Sequence, residues 1–264
     1  MATTKNIQSV ERAFSILELF QQPSCTELSV KDISYALGLN KSTTFGLINT
    51  LTNLGYLQQN LENQKYMLGL KLLSFSSIVE SQNLIIQAVH PFLEQLNRKY
   101  GETVHCAMEH NGAVLYIDKV VASNMAIYIN TQVGARNELY CTGVGKCILA
   151  YMPEELREPV LQKPLKTLTF NTITNVEQLR AELKRIRENG YALDNEENMI
   201  GLHCVAVPVF SAENTVACAI SVSSIAARIQ AAKEKGLIQD LKHTAAMISK
   251  RAFGYECPEL IYKD

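Results

Sequence analysis

Two short stretches of this chain bring together groups that could bind something. In Asn40-Lys41-Ser42-Thr43-Thr44, hydroxyls and an ammonium stand directly ahead of an apolar periodic stretch, so the unpaired N–H groups of a helix start meet them. Such a set suits phosphate: the N–H groups and helix dipole favour an anion, Lys41 adds charge, and Ser42, Thr43 and Thr44 can reach phosphates or base edges. In Tyr140-Cys141-Thr142-Gly143-Val144-Gly145-Lys146, a glycine-rich turn opens a helix. Compared with the nucleotide-binding G-x-x-x-x-G-K-[ST], it has Tyr140 at the first glycine and Cys147 at the hydroxyl position, which argues against an ATPase. Two readings of the turn stay open: N–H groups that receive a small carboxylate, or glycines placed for close helix-to-sheet packing.

Residues 215–223 alternate between a bulky face (Val216, Cys218, Ile220, Val222) and a small one (Ala217, Ala219, Ser221, Ser223). The small face leaves room for a ligand held by its hydroxyls, or for a tightly packed helix. In the acidic run 194–198, which otherwise reads as a solvated loop, Asp194 is nearest a strand end and is the expected acceptor for a ligand hydroxyl. For catalysis, no G-x-S-x-G and no characteristic cysteine signature is present. His105, His110 and His203 lack a partner pattern and read as structural. The seven cysteines, at 25, 106, 141, 147, 204, 218 and 257, never form a C-x-x-C pair, which argues against a disulfide framework or zinc site. No cofactor and no metal are expected. Cys204 and Cys218 read as buried small hydrophobes, Cys141 and Cys147 as core or pocket wall.

The scaffold for these groups is bounded by composition. The 264 residues exceed one average domain, and 47% hydrophobic content can furnish real cores. With 25 basic against 26 acidic residues the net charge is −1, so any nucleic-acid contact must be local. Residues 1–80 are themselves neutral, six basic against six acidic side chains; a neutral module makes few phosphate contacts, so useful affinity calls for two or more subunits on repeated half-sites. No apolar stretch is long enough to span a membrane and the start is polar, which reads as a cytoplasmic chain.

Periodicity supplies the elements. Over 9–20, Val10, Ala13, Phe14, Leu17 and Phe20 mark an amphipathic helix with Ser9 as its cap. A short helix opened by Ser29 and Asp32 stops at Gly38, and a tight turn leads into a helix with the stripe Phe45, Ile48, Leu51, Leu54. That is a helix-turn-helix, whose second helix is the one such folds insert into the major groove. Residues 56–59 and 65–68 form a hairpin wing, from which Lys65 can touch flanking DNA backbone. Residues 69–82 form a linker helix whose apolar face packs against a second subunit.

From residue 83 onward the pattern changes. A helix kinked or restarted at Pro91 ends at Gly101; strands at 103–109 and 113–120 flank Asn111-Gly112, a strong hairpin signal. A third strand is expected at 125–131. Helices follow at 143–151, after Pro153, and at 176–189 behind a Thr174/Glu177 capping box; strands at 203–210 and 215–223 and a last helix through Leu237, Leu241, Ala245 and Ile248 complete an α+β domain. The expected division is a winged helix-turn-helix over 6–68, a linker over 69–82, and an effector-binding, oligomerising domain over 83–257.

Three sets of residues resemble the IclR family of transcriptional regulators: Ile7-Gln8-Ser9-Val10-Glu11-Arg12-Ala13, Leu39-Asn40-Lys41-Ser42-Thr43 and Gly55-Tyr56-Leu57 resemble its winged helix. Residues 139–146 and 190–197, then Cys204-Val205-Ala206-Val207-Pro208-Val209-Phe210 and Ser221-Val222-Ser223, resemble its effector domain, and the order holds over roughly residues 6 to 255. The resemblance implies a GAF-like domain with an antiparallel sheet, operator DNA bound by a homodimer or dimer of dimers, a small-metabolite effector, and repression of a metabolic operon. By position it implies an effector pocket of Gly143, Val144, Asp194, Leu202, Cys204, Ser221 and Ser223, and a DNA-facing turn of Ser42, Thr43 and Thr44. Two departures stand out: Gly46 where many members have Arg, and Cys147 where Ala is more usual. The rival is an enzyme that turns over a small acid and uses the N-terminal unit for dimerisation; product formation would separate the two. A protein-interaction module comes last.

Overall fold

Short caps and one shared apolar cluster build the first unit. In this computed structural model, which describes residues 6–21, 25–122 and 131–255, α1 (Gln8–Glu18), α2 (Val30–Leu37) and α3 (Lys41–Asn53) precede a hairpin of β1 (Leu57–Gln59) and β2 (Tyr66–Leu68). Ser29 and Asp32 close α2 with a reciprocal capping box (Asp32 N–H to Ser29 Oγ 3.2 Å, Ser29 N–H to Asp32 Oδ2 2.9 Å), and Gly38 ends it in the left-handed region at φ 62°. Ile16, Ile33, Ile48, Leu51, Leu57 and Tyr66 form the core, and Leu28 bridges Tyr66 to add a third segment to the wing. The next helix, α4 (Lys71–Gln82), follows in the same unit.

Three expectations are corrected here. Ser9 lies inside α1, whose cap position, Ile7, offers no side-chain bond. Val10 and Phe14 are exposed while Ile16 is buried; in α3 Phe45 is exposed, as is Leu54 just beyond its end, while Thr44, Ile48 and Leu51 are buried. In α1 packing chose the ridge with Ile16 over the one with Val10 and Phe14, while in α3 the expected Ile48 and Leu51 are buried and the face is rotated toward Thr44, leaving Phe45 outside.

The second unit (from Asn83) is a six-stranded antiparallel sheet with helices on both faces. Its elements are α5 (Leu84–Tyr100), β3 (Thr103–His110), β4 (Ala113–Val120), β5 (Arg136–Asn137), α6 (Gly143–Tyr151), α7 (Glu154–Leu161) and α8 (Val176–Asn189), then β6 (Ala192–Asn195), β7 (His203–Phe210), β8 (Val216–Ser224), α9 (Ala226–Glu234) and α10 (Leu237–Phe253). Strand order is β5-β4-β3-β8-β7-β6. Asn111 and Gly112 both take positive φ (51° and 76°), the backbone of the tight hairpin turn between β3 and β4. Pro91 sits inside α5 without interrupting it. The cap of α8 is Asn175, which accepts from the Gln178 N–H at 3.0 Å, in place of the Thr174 box. The strand expected at 125–131 lies outside the described residues, apart from Thr131, which is not in a strand; β5, β6 and α9 were not anticipated as elements.

The two faces of β8 serve two cores. Cys218, Ile220 and Val222 pack with Phe92 and Leu93 of α5 and with Leu241 and Ile248 of α10. Ala219 packs on the other side with Val144 and Ile148 of α6 and Leu183 of α8. A register shift between Val209 and Phe210 breaks the alternation, and Val216 joins the α6 side.

Candidate functional site

The start of α6 is built by glycine. A Cβ on Gly143 would stand 2.5 Å from Cys204 Sγ and 3.3 Å from Ala206 Cβ; one on Gly145 would stand 2.4 Å from the Leu139 carbonyl oxygen. Only glycine lets the helix lie this close to β7, so the packing reading of these glycines holds. The pocket reading survives beside it. Thr142 caps the helix by accepting from the Gly145 N–H at 3.0 Å, every residue from Gly143 to Ala150 is buried, and the Val144 N–H has no acceptor among the described residues.

Gly143, Val144, Asp194, Leu202, Cys204, Ser221 and Ser223, the seven residues expected at an effector pocket, all line one cavity of about 20 Å³. That is room for about one water. Its remaining walls are His105, Tyr116, Thr131, Thr142 and Asn198, none of them anticipated. His105 faces Ser221 in the β3/β8 register and stacks edge-on against Tyr116 at 5.4 Å. It is 2% exposed and its Nε2 has no partner among the described residues, contrary to the structural, satisfied histidine expected there. Burial, with the Lys119 charge nearby, drives its pKa down to about 3, so the ring is neutral.

Asp194 is 2% exposed, and its Oδ1 accepts the Glu197 N–H at 2.8 Å. Burial pushes its carboxyl up to about 7; the Glu197 N–H works against that, the Glu197 charge with it, and Lys146 against it. The acidic run is not a solvated loop. Glu197 is buried in an ion pair with Lys146, which is 1% exposed and also lies 3.7 Å from Glu182. Thr169 and Thr172 donate to the Glu196 and Glu197 carbonyls at 2.6 and 2.7 Å, holding Glu196 at a φ of 65° that costs a non-glycine residue energy. Burial raises the thiols as well, Cys141 and Cys147 to about 12 and Cys204 well above the ordinary range. They stay protonated.

The first unit presents a second surface. Asn40 caps α3, accepting from the Thr43 N–H at 2.8 Å and from the Ser42 hydroxyl at 2.9 Å. Lys41 and Ser42 are exposed and Thr43 half-buried. Thr44 is different: it is fully buried and its hydroxyl donates to the Asn40 carbonyl at 3.0 Å, so the expected DNA contact is withdrawn for its side chain. Lys65 is exposed on the wing, but its charge also acts on Glu27 and Asp32. Among the described residues, no His, Cys, Asp and Glu are grouped to hold a metal, and no helix is long and apolar enough to cross a membrane.

Comparison with known proteins places both units. Residues 9–61 match the IclR helix-turn-helix domain and residues 77–250 the bacterial transcriptional regulator IclR C-terminal domain. The HTH-type transcriptional regulator XynR of Escherichia coli is 38% identical over 250 residues, covering 94% of this chain and 98% of its own. The structure of an IclR transcriptional regulator from Alicyclobacillus acidocaldarius superposes with a TM-score of 0.83 at 28% identity, over 93% of this chain and 98% of that one. An IclR homologue from Microbacterium hydrocarbonoxydans complexed with 4-hydroxybenzoate shares the fold at TM-score 0.78 and 24% identity, over 92% and 98% of the two chains. With a helix-turn-helix and an α+β domain each matched in order, the chain belongs to the IclR family of DNA-binding transcriptional regulators.

Proposed function

We propose that the chain is a repressor whose effector, a small hydroxylated organic acid, enters the cavity between the α6 start and the β3/β8 strands. The observation that carries this is the convergence of the seven expected residues, with the His105 Nε2 that has no partner among the described residues, on one buried cavity. The donors fit the ligand class. The Val144 N–H at a helix start takes a carboxylate, while neutral His105, Ser221, Ser223 and Asp194 take hydroxyls. The Microbacterium homologue's 4-hydroxybenzoate has one group of each kind. A cavity of about 20 Å³ is far below the several hundred Å³ of ligand sites, so binding selects an opened form, and that difference in affinity is what drives the switch.

Lys41, Ser42 and Thr43, with Lys65 on the wing, are the proposed contacts to double-stranded operator DNA. The working unit is a homodimer or dimer of dimers: α1 and its cap residue expose Val10, Phe14 and Ile7, and α4 exposes Leu73, Phe75, Ile78 and Val79, apolar faces that a second copy would cover. We assign DNA binding to residues 6–68, the connection to 69–82 and effector binding and assembly to 83–257. Thermal shift against a panel of small carboxylates, followed by gel shift on a genomic fragment selected by the protein, tests the whole reading. Asp194→Ala is expected to abolish the ligand response and leave operator affinity of the unliganded protein near normal. If basal DNA binding collapses instead, Asp194 is purely structural.

A further inference from the structure

The exposed face of α3 is not the polar surface of an ordinary solvated helix. Ser42, Phe45, Gly46 and Asn49 stand at i, i+3, i+4 and i+7, hence on one face, and all four are exposed, opposite buried Thr44, Ile48 and Leu51. Phe45 is 54% exposed, and no side-chain hydrogen bond engages Asn49 among the described residues. Gly46 is the informative neighbour. A Cβ there would meet nothing within 4 Å, whereas at Gly69, Gly143 and Gly145 it would come within 2.1, 2.5 and 2.4 Å of other atoms. Nothing among the described residues requires Gly46, and glycine weakens a helix interior, so the cause lies with what approaches from outside. The unit is also neutral, six basic against six acidic residues up to position 80. Phosphate contacts alone are then few, and base-edge contacts must carry more of the affinity.

We propose that Phe45 reads the C5-methyl group of a thymine in the major groove, with Gly46 letting the helix backbone sit close against the bases and Asn49 reading an adenine one helical turn further on. The chemistry is direct. Thymine is the base that offers an apolar group in the major groove, phenylalanine is among its usual partners, and asparagine pairs with the N6/N7 edge of adenine. An A·T-containing half-site follows. This rests on the proposed placement of the α3 start against DNA, and it adds which bases are read and by which side chains.

The test uses the full-length protein and its selected operator duplex, with each thymine replaced in turn by deoxyuridine, which removes the methyl and keeps the base pair. Wild type is expected to lose about fivefold to tenfold in affinity at one position per half-site, the low end of what a single base contact contributes. Phe45→Ala is expected to lose the same factor on the unmodified duplex and to be indifferent to deoxyuridine at that position, with an unchanged melting temperature. Gly46→Ala is expected to keep or raise the melting temperature and to weaken operator binding. Wild type indifferent to every replacement, or Phe45→Ala retaining the wild-type sensitivity, overturns the thymine assignment while leaving the interface in place; Gly46→Ala binding at full affinity overturns the close approach. Failure of wild type to prefer the operator over a scrambled duplex overturns the interface itself.

Discussion

The starts of α3 and α6 are two solutions to one local problem. Each is opened by a side chain that accepts an N–H three residues on, Asn40 from Thr43 at 2.8 Å and Thr142 from Gly145 at 3.0 Å. There the similarity ends. The first turn of α3 stands in water with Lys41 and Ser42 exposed, and α6 is buried along eight consecutive residues. In water the unpaired N–H groups of α3 are screened, so they contribute only alongside many other contacts, as on a long polyanion. In the dry wall of the cavity the same N–H groups keep their full field, enough for a single small anion. Burial therefore separates the two sites more than residue type does.

The comparison breaks most severely at Lys146, where burial makes every charge count. Lys146→Met leaves Glu197 charged and enclosed at 5% exposure, and is expected to cost about 3–5 kcal/mol in denaturant unfolding. The double variant Lys146→Met/Glu197→Leu should recover most of that loss. Next in size is Asp194. Its folded pKa of about 7 lies above the ordinary carboxylate value, so the group's contribution to stability is complete at low pH and is lost as pH rises through about 7. Asp194→Asn keeps an acceptor for the Glu197 N–H and removes the charge. It is expected to flatten the pH dependence and to be more stable than wild type at pH 8 by about 2–4 kcal/mol. Binding of an anionic effector should tighten for wild type from pH 8 to pH 6, which calorimetry at both pH values would read.

Gly143→Ala follows. Its Cβ needs space held by Cys204 Sγ at 2.5 Å and Ala206 Cβ at 3.3 Å, and the overpacking should cost about 1–3 kcal/mol. The double variant Gly143→Ala/Cys204→Ala should relieve much of this, because the sulfur is the closest obstacle. An undiminished melting temperature for Gly143→Ala would mean that α6 can lift from the sheet, which is the movement effector entry requires.

What was legible in the sequence tracks this same division. Several signals confined to one turn were read correctly, namely the Ser29 capping box, the Asn111-Gly112 turn, the Gly38 and Gly190 stops and the span of α6, whereas the Ser9 and Thr174 caps gave way to their neighbours Ile7 and Asn175. Among the cavity-lining residues, Gly143, Asp194 and Ser221 could be chosen because each sits at an element end or on a small face, whereas Cys204, read from its strand as a buried small hydrophobe, joined them only through the family resemblance. His105 could not, since its place depends on β3 pairing with β8 across more than a hundred residues of chain, and a lone histidine carries no mark of its partner strand. Lys146 and Glu197 were hidden for the same reason: buried, they look in sequence like surface charges. In α1 and α3 the failure was different. In α1 periodicity did not say that Ile16 would be covered while Phe14 stayed in water, and in α3, where Ile48 and Leu51 are covered as expected, it did not say that Phe45 at the edge of the same stripe would stay exposed.

The smallest perturbation falls on the exposed side of the comparison. Asn40→Ala removes the cap of α3 and is expected to cost about 1 kcal/mol, because water replaces the lost acceptor for the Thr43 N–H. Thr142→Ala removes the corresponding cap where water cannot follow, leaving the Gly145 N–H buried and unpaired, and should cost more, about 1–3 kcal/mol. The two measured side by side weigh burial, since donor type and spacing are alike and only the acceptor differs, an amide carbonyl in Asn40 and a hydroxyl in Thr142. Equal losses would mean that water reaches the start of α6, and the argument that a small anion meets unscreened N–H groups there would fall with it.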